Sequence, residues 1–169
     1  PVSCLADRTV EVVREWMAVA ARDAFPLRVA IELNRAKSCH DPGIGYDSLI
    51  SMVARIAHPS VGVCWDFGHA CHNVRQGRLP ADPPPDFLGR VVHTHVHDLG
   101  PGDQTHWPLT TGTVPIDRWC CLLAGAGFSG ILNLELDPAR FAGTVDLRTA
   151  VLASIGRLRF VSPAPCREQ

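Results

Sequence analysis

Residues 91–100 read VVHTHVHDLG, and the alternation within them decides the fold. Successive side chains of a strand point to opposite faces. Val92, Thr94 and Val96 therefore share one face, and His93, His95 and His97 share the other. Three further short runs divide in the same way. Val29, Ile31 and Leu33 oppose Ala30 and Glu32. Val61, Val63 and Trp65 oppose Gly62, Cys64 and Asp66. Leu132, Leu134 and Leu136 oppose Asn133 and Glu135. Each run has a mainly apolar face and a face carrying an acid or imidazole near its C-terminal end.

Helical patterns lie between these runs. Residues 9–24 place Val10, Val13, Met17, Ala20, Ala21 and Ala24 at helical spacing, and Pro26 ends the helix. Residues 47–57 form a second amphipathic pattern with Asp47 or Ser48 as N-cap. Residues 116–127 form a third, stopped by Gly125 and Gly127, and residues 144–160 a fourth, followed by a frayed tail. The proline-rich stretch 79–86 leads to a short helix at most, and a long loop follows the histidine run. Strands alternating with helices make a parallel α/β sheet. A doubly wound sheet is covered on both faces and favours apolar residues on both. A barrel needs only an apolar outer face and places polar side chains at the top of its interior. The parity therefore selects a parallel (β/α) barrel. The intervals from Glu32 to Asp66, His95 and Glu135 each fit one βα unit.

A full barrel takes about 250 residues and eight strands. This chain has 169 residues, starts at Pro1 without an initiator Met, and shows four strand runs. It is read as a single domain over 1–169, half a barrel, processed or cut from a longer product. Its two open sheet edges call for the other half or for a second copy of the chain.

Composition narrows the partners. The chain is 46% hydrophobic and 20% charged, with 16 basic against 17 acidic residues, as in soluble globular domains. A balanced charge provides no electrostatic footprint for nucleic acid or a membrane surface. No apolar run approaches the roughly 18 residues of a membrane span. The first residues lack the basic and apolar regions of a signal peptide. The seven cysteines form no CxxC pair, which reads as reduced thiols in the cytoplasm. Every basic residue except Lys37 is arginine, a bias read as compositional.

Glu32, Asp66, His95 and Glu135 should converge at one mouth. Three carboxylates and an imidazole suit a hard or borderline divalent cation, Mn²⁺ first, with Mg²⁺, Co²⁺ or Zn²⁺ as alternatives. Such a metal chelates the carbonyl and neighbouring hydroxyl of a sugar, acidifies the C–H between them and stabilises the enediolate. A carboxylate removes the proton, and it or a second carboxylate returns it. Return at the neighbouring carbon isomerises the sugar; return to the opposite face epimerises it. His69, His97 and His106 are candidates for holding hydroxyls or shuttling protons. Asp103 and His106 either order a loop over the site or touch substrate. Trp107 either stacks on a sugar or packs. His93, deeper on the same face, reads as an interior histidine.

The set IELN (31–34), CWDFGHA (64–70), HTHVHD (93–98), PLTTGTVPID (108–117) and GILNLEL (130–136) resembles the xylose-isomerase-like TIM-barrel superfamily. That group holds sugar (phosphate) isomerases and epimerases and type-IV-like apurinic endonucleases. The likeness covers the whole chain but only the family's C-terminal half, strands five to eight. It implies a metal held by Glu32, Asp66, His95 and Glu135. It also implies that His69 faces substrate and that Asp98 closes the H-x-x-D motif begun by His95. In ketose 3-epimerase-like members the two metal glutamates also act as acid and base, which assigns catalysis to Glu32 and Glu135. The chain departs from that branch at Ser38, where those members carry another glutamate. It departs again in LGPGDQ (99–104), which lacks their arginine, and at His97, where many relatives have lysine. The substrate-side set is thus His69, His97, Asp98, Asp103 and His106. The implied activity is a divalent-metal-dependent isomerase or epimerase of a small sugar or sugar phosphate. A related polyol or keto-acid dehydratase, a zinc endonuclease-like phosphodiesterase and an inactive half-barrel remnant are the alternatives. The endonuclease reading lacks further histidine ligands from earlier strands, and the chain has no basic patch for DNA.

Overall fold

The structure, a computed structural model, describes residues 2–37 and 41–159, with side chains from Leu5 onward. Ser38 and the tail lie outside the described residues. The elements run α1 (Val2–Arg22), β1 (Val29–Glu32), α2 (Tyr46–Ile56), β2 (Val61–Asp66), α3 (Phe67–Arg75), α4 (Pro85–Leu88), β3 (Val91–Val96), β4 (Asp98–Gly100), β5 (Gln104–Trp107), α5 (Ile116–Gly125), β6 (Leu132–Leu134) and α6 (Leu147–Arg159). Four strands form one sheet in the order β1-β2-β3-β6. Every pairing in that sheet is parallel.

The helices form where apolar side chains recur on one face. Leu49, Met52, Val53 and Ile56 are the buried stripe of α2, and Ile116, Trp119, Cys120 and Leu123 that of α5. This is the i, i+3, i+4, i+7 spacing of a half-buried helix. Val10, Val13, Met17 and Ala20 play that part in α1, whereas Ala21 and Ala24 are exposed. All of β2 is buried. Trp65, on its outer face, packs against Phe67, Phe87 and Trp119 with ring centroids 4.6, 5.9 and 5.1 Å away.

Three local expectations are corrected. Helix α2 starts at Tyr46 with Gly45 as its N-cap, and neither Asp47 nor Ser48 caps it. The Ser48 hydroxyl instead donates to the Gly45 carbonyl. Helix α3 follows β2 directly, in a stretch the apolar pattern did not mark as helical. The third strand run stops at Val96, and the expected long loop holds an antiparallel hairpin that pairs Asp98 with Trp107 and Gly100 with Gln104. Gly100 is required there, because a Cβ would sit 2.2 Å from the Trp107 ring.

The hairpin also corrects the role of Asp98. Its buried carboxylate accepts from the backbone N–H groups of Leu99, Thr113 and Val114 at Oδ1 and of Thr111 and Gly112 at Oδ2. With both oxygens committed to the chain, Asp98 is a loop anchor and not a substrate contact. Its oxygens hold the segment that leads into α5.

Strands β1 and β6 are the open edges of the sheet. Large apolar side chains are exposed on both flanks: Leu5, Trp16 and Phe25 beside β1, and Ile131, Leu147 and Leu152 beside β6 and on α6. A groove of about 560 Å³ lies between α1 and β1. Among the described residues no helix is long and apolar enough to cross a membrane.

Asp98→Ala strips several buried or half-buried N–H groups of their acceptor. The cost is at least about 3 kcal/mol, since one such orphan costs roughly 1–3 kcal/mol. Thermal unfolding should fall by about 6 °C or more. An unchanged melting temperature would contradict the anchor role.

Candidate metal and active site

Sequence parity brings Glu32, Asp66 and His95 to the C-terminal ends of β1, β2 and β3, and Glu135 follows β6 directly. Asp66 pairs in register with His95, and His95 with Asn133. The Glu135 N–H continues the ladder by donating to the Val96 carbonyl. His95 Nδ1 lies 3.0 Å from Glu135 Oε2 and 3.8 Å from both Glu32 Oε2 and Asp66 Oδ2. His69 Nδ1 lies 3.2 Å from Glu32 Oε1 and 3.3 Å from Asp66 Oδ2. The four expected metal ligands and His69 therefore meet. Ligand atoms of Glu32, Asp66 and His95 all fall within 4.8 Å of one another.

Proximity here is not hydrogen bonding. Asp66 Oδ2, His69 Nδ1, His95 Nδ1, His97 Nε2 and Glu135 Oε2 are buried without a hydrogen-bond partner. Buried polar atoms are normally satisfied. Carboxylate oxygens and imidazole nitrogens gathered within 4.8 Å of one another, several of them without a hydrogen-bond partner, fit a cation once the imidazoles are neutral, so the residues present suit a divalent metal.

Asp66 is also the N-cap of α3, its Oδ1 accepting the His69 N–H at 2.7 Å. The three-residue offset thus does two things. It caps the helix, and it turns the His69 imidazole back toward the carboxylates.

His97, expected on substrate, is completely buried. It follows the end of β3 and sits behind Asp66, with Nε2 at 3.0 Å from Oδ1. The His106 N–H donates to its Nδ1 at 2.8 Å, which leaves the proton on Nε2, facing Asp66. Gly68 makes room for the ring, since a Cβ there would lie 1.8 Å from His97 Cε1. His97 is therefore placed to position Asp66. His106 belongs to the site: its ring stacks on His97 at 4.4 Å and its Nε2 lies 3.9 Å from Glu135 Oε2. Its φ of +63° is a left-handed conformation that costs a non-glycine residue energy. Asp66, His69, His97 and His106 form a second group whose ligand atoms lie within 4.8 Å of one another.

Asp103 is not brought to the cluster. It stands at the hairpin turn and pairs with Arg75 at 3.0 Å, so it orders the loop. Trp107 is 6% exposed and packs edge-on against Phe141. Cys64 was legible only as an inward residue, yet it groups with His93 and His95 directly beneath the carboxylates.

The charges settle accordingly. His69 first, then His95, hold Glu32 down at about 2. Contact with His95 also lowers Glu135. Cys64, then Glu135 and Glu32, push His95 up to about 12. Burial opposes the charged form of His69, but its contacts with Glu32 and Asp66 outweigh burial and raise it. Burial, and then the neighbouring His97, lower His106.

Solved structures share this architecture. A D-tagatose 3-epimerase-like protein superposes with a TM-score of 0.70 at 21% identity, covering 92% of this chain and 54% of its own. The IolI protein, solved with a bound zinc atom, superposes with a TM-score of 0.68 at 17% identity, covering 95% and 57%. At these identities the likeness is one of fold. An uncharacterized protein of Methanocaldococcus jannaschii is 23% identical over 141 residues, which is 79% of this chain and 44% of that protein. The chain thus spans about half the length of the proteins it matches. The family described as xylose isomerase-like TIM barrel matches residues 3–159. The chain belongs to the xylose isomerase-like TIM barrel family.

Proposed function

We propose that this chain carries the metal-binding units of a divalent-metal-dependent isomerase or epimerase of a sugar or sugar phosphate. The convergence of unpartnered buried oxygens and imidazole nitrogens on one point carries the reading. Glu32, Asp66, His95 and Glu135 would hold the ion, Mn²⁺ being the first candidate for a set dominated by carboxylates. When bound, it would polarise a substrate carbonyl and acidify the neighbouring C–H.

The chain's own residues divide the remaining work. Asp66 has no exposed side-chain surface, whereas Glu32 and Glu135 keep 32% and 38% exposed. Substrate can reach the glutamates and not the aspartate. Both glutamates are held in the ionised form at neutral pH, so either can accept a proton from substrate, and a glutamate returns one only after taking it up from substrate or solvent. They flank His95 from opposite ends of the sheet. Proton return by the glutamate on the opposite face, once protonated from solvent, would give epimerisation and leave the first glutamate to lose its proton to solvent; return of the abstracted proton at the adjacent carbon would give isomerisation. His69 and His106 are the imidazoles placed to meet substrate hydroxyls.

The domain is read as the C-terminal half of a barrel. Its apolar flanks at β1 and β6 are closed by further βα units, from the rest of a longer chain or from a second copy. Exposed strand edges with large apolar neighbours are otherwise aggregation sites.

Stoichiometric Mn²⁺ binding to the purified full chain should weaken at least about tenfold in Glu135→Gln, because even outer-sphere changes cost that much. Ketoses incubated with the metal-loaded chain in D₂O should gain deuterium next to the carbonyl. Loss of hydroxide instead would identify the dehydratase alternative. Absence of metal binding by a folded chain would overturn the reading.

Metal uptake should also release protons. His95 is raised to about 12 and so is protonated at neutral pH. Its ion pairs stabilise the metal-free fold below the imidazole's ordinary value and are lost only as pH rises through about 12. A metal needs the neutral ring. Apparent affinity should rise about tenfold per pH unit for each proton displaced. Calorimetric binding heats should depend on the ionisation enthalpy of the buffer; buffer-independent heats would refute proton displacement.

A further inference from the structure

We propose that the substrate of this site carries an anionic group, phosphate or carboxylate, bound by Arg35, Lys37 and Arg140 in a cavity beside the carboxylate cluster. This deepens the reading above and rests on it for the position of the reacting carbons. The cavity has a volume of about 250 Å³, and its walls include these three cations together with His69 and His106. The two imidazoles join it to the metal cluster. His69 Nδ1 lies 3.2 Å from Glu32 Oε1, and His106 Nε2 lies 3.9 Å from Glu135 Oε2. A molecule with one end at the glutamates therefore extends its other end among the cations.

The cations are not used up by the protein. Arg35 Nε is buried with no hydrogen-bond partner, and neither Arg35 nor Lys37 has an acidic partner among the described residues. Arg140 pairs with Asp137 through Nε, and its terminal nitrogens make no hydrogen bond among the described residues. One acid, Asp41, also lines the cavity, but its Oδ1 accepts the Gly43 N–H as an N-cap. The wall is thus net cationic, although the chain as a whole is close to neutral. Lys37 is the chain's single lysine, and it stands in this cavity. An oxyanion in the cavity would accept charge-assisted bonds from the cations that line it. Among the described residues the ion pairs of Glu32, Asp66 and Glu135 are with imidazoles, so these acids do not take up the three cations.

The single lysine provides the probe. The full chain is acylated slowly with an amine reagent, and the rate at Lys37 is followed by mass spectrometry. Inorganic phosphate and glycolate are each compared with chloride at matched ionic strength, with and without Mn²⁺. At least one of the two anions should slow acylation several-fold, and the stronger one identifies the substrate's group as phosphate or carboxylate. Arg35→Gln and Arg140→Gln should weaken the protecting anion about tenfold, Arg35→Lys should restore part of the effect, and Arg148→Gln should leave it unchanged. Circular dichroism confirms that each variant is folded. No protection of the folded wild type by either anion, or equal protection in all variants, would overturn the proposal. Protection that persists in a chain unable to bind Mn²⁺ would sustain the anion cavity and refute the metal reading alone.

Discussion

Asp66 is a carboxylate with no exposed surface, and the surrounding structure is arranged around that fact. An isolated buried charge is costly enough that proteins pair it or neutralise it. Here the compensation comes from several directions. Helix α3 begins at the next residue and offers the His69 N–H with the positive end of its dipole. His97 Nε2 stands 3.0 Å from Oδ1, and His69 Nδ1 stands 3.3 Å from Oδ2. One oxygen still lacks a hydrogen bond. The carboxylate is therefore fixed by α3 and His97 on one side and open for ligation on the other. The constraint propagates outward. His97 keeps its place because His106 donates to it and Gly68 leaves it space. His106 donates from a left-handed conformation, and its carbonyl in turn accepts the Asp137 N–H just beyond Glu135. A change at β5 would thus reach both Asp66 and Glu135.

Period-two alternation was enough to find the sheet and the four converging residues, because it depends only on which face each side chain takes. Glu32, Asp66 and His95 are strand-borne, and Glu135 follows β6 with its N–H still bonded to the Val96 carbonyl, so counting positions located them. His97 obeys the same count, yet the strand ends at Val96, and beyond that point parity no longer says where a side chain lies. It turned from the mouth to the back of Asp66. Asp98 carries no signal of its own: an acid after a histidine looks the same whether it meets a ligand or five backbone amides. The hairpin at Asp98–Trp107 was hidden because its strands are only three and four residues long and enclose a proline and a glycine. Helix α3 was missed for a related reason. Its sequence FGHACHNVR is only nine residues long and holds a glycine, two histidines and an asparagine, and the cap at Asp66 together with packing against β3 and β4 supplies what propensity does not.

The cations of the second cavity were beyond sequence reading for another reason. Arg35 and Lys37 follow β1, and Arg140 follows β6. These strands are the two edges of a four-stranded sheet, so in a flat sheet the loops would stand three strand spacings apart, about 14 Å. They line one small cavity instead. Glu32 of β1 likewise comes within 3.8 Å of His95 on β3, two strands away. Both closures require a sheet that curls, with its concave side holding the charged residues and its convex side packed under α2 and α5. A curled sheet of parallel strands with bare edges is an arc of a barrel. Large apolar side chains are exposed on both flanks of that arc.

This geometry separates chemistry from selection. The groups proposed to hold metal and move protons are at strand ends, where the ladder sets their spacing to within a side-chain rotamer. The groups proposed to recognise the substrate's charge are on loops that begin where those strands stop. Loops vary at little cost to a sheet, so one ligand set can be kept while the cavity beside it is rebuilt for another substrate. In this chain the cavity wall comes from the loops after β1 and β6 and from the hairpin after β3. The units that continue the arc beyond its edges would add their own loops to the same mouth. Substrate length and neutral hydroxyl contacts would then be set partly by residues outside these four strands. The carboxylates proposed to react and the cations proposed to bind the anion all lie within them or on the loops that follow them.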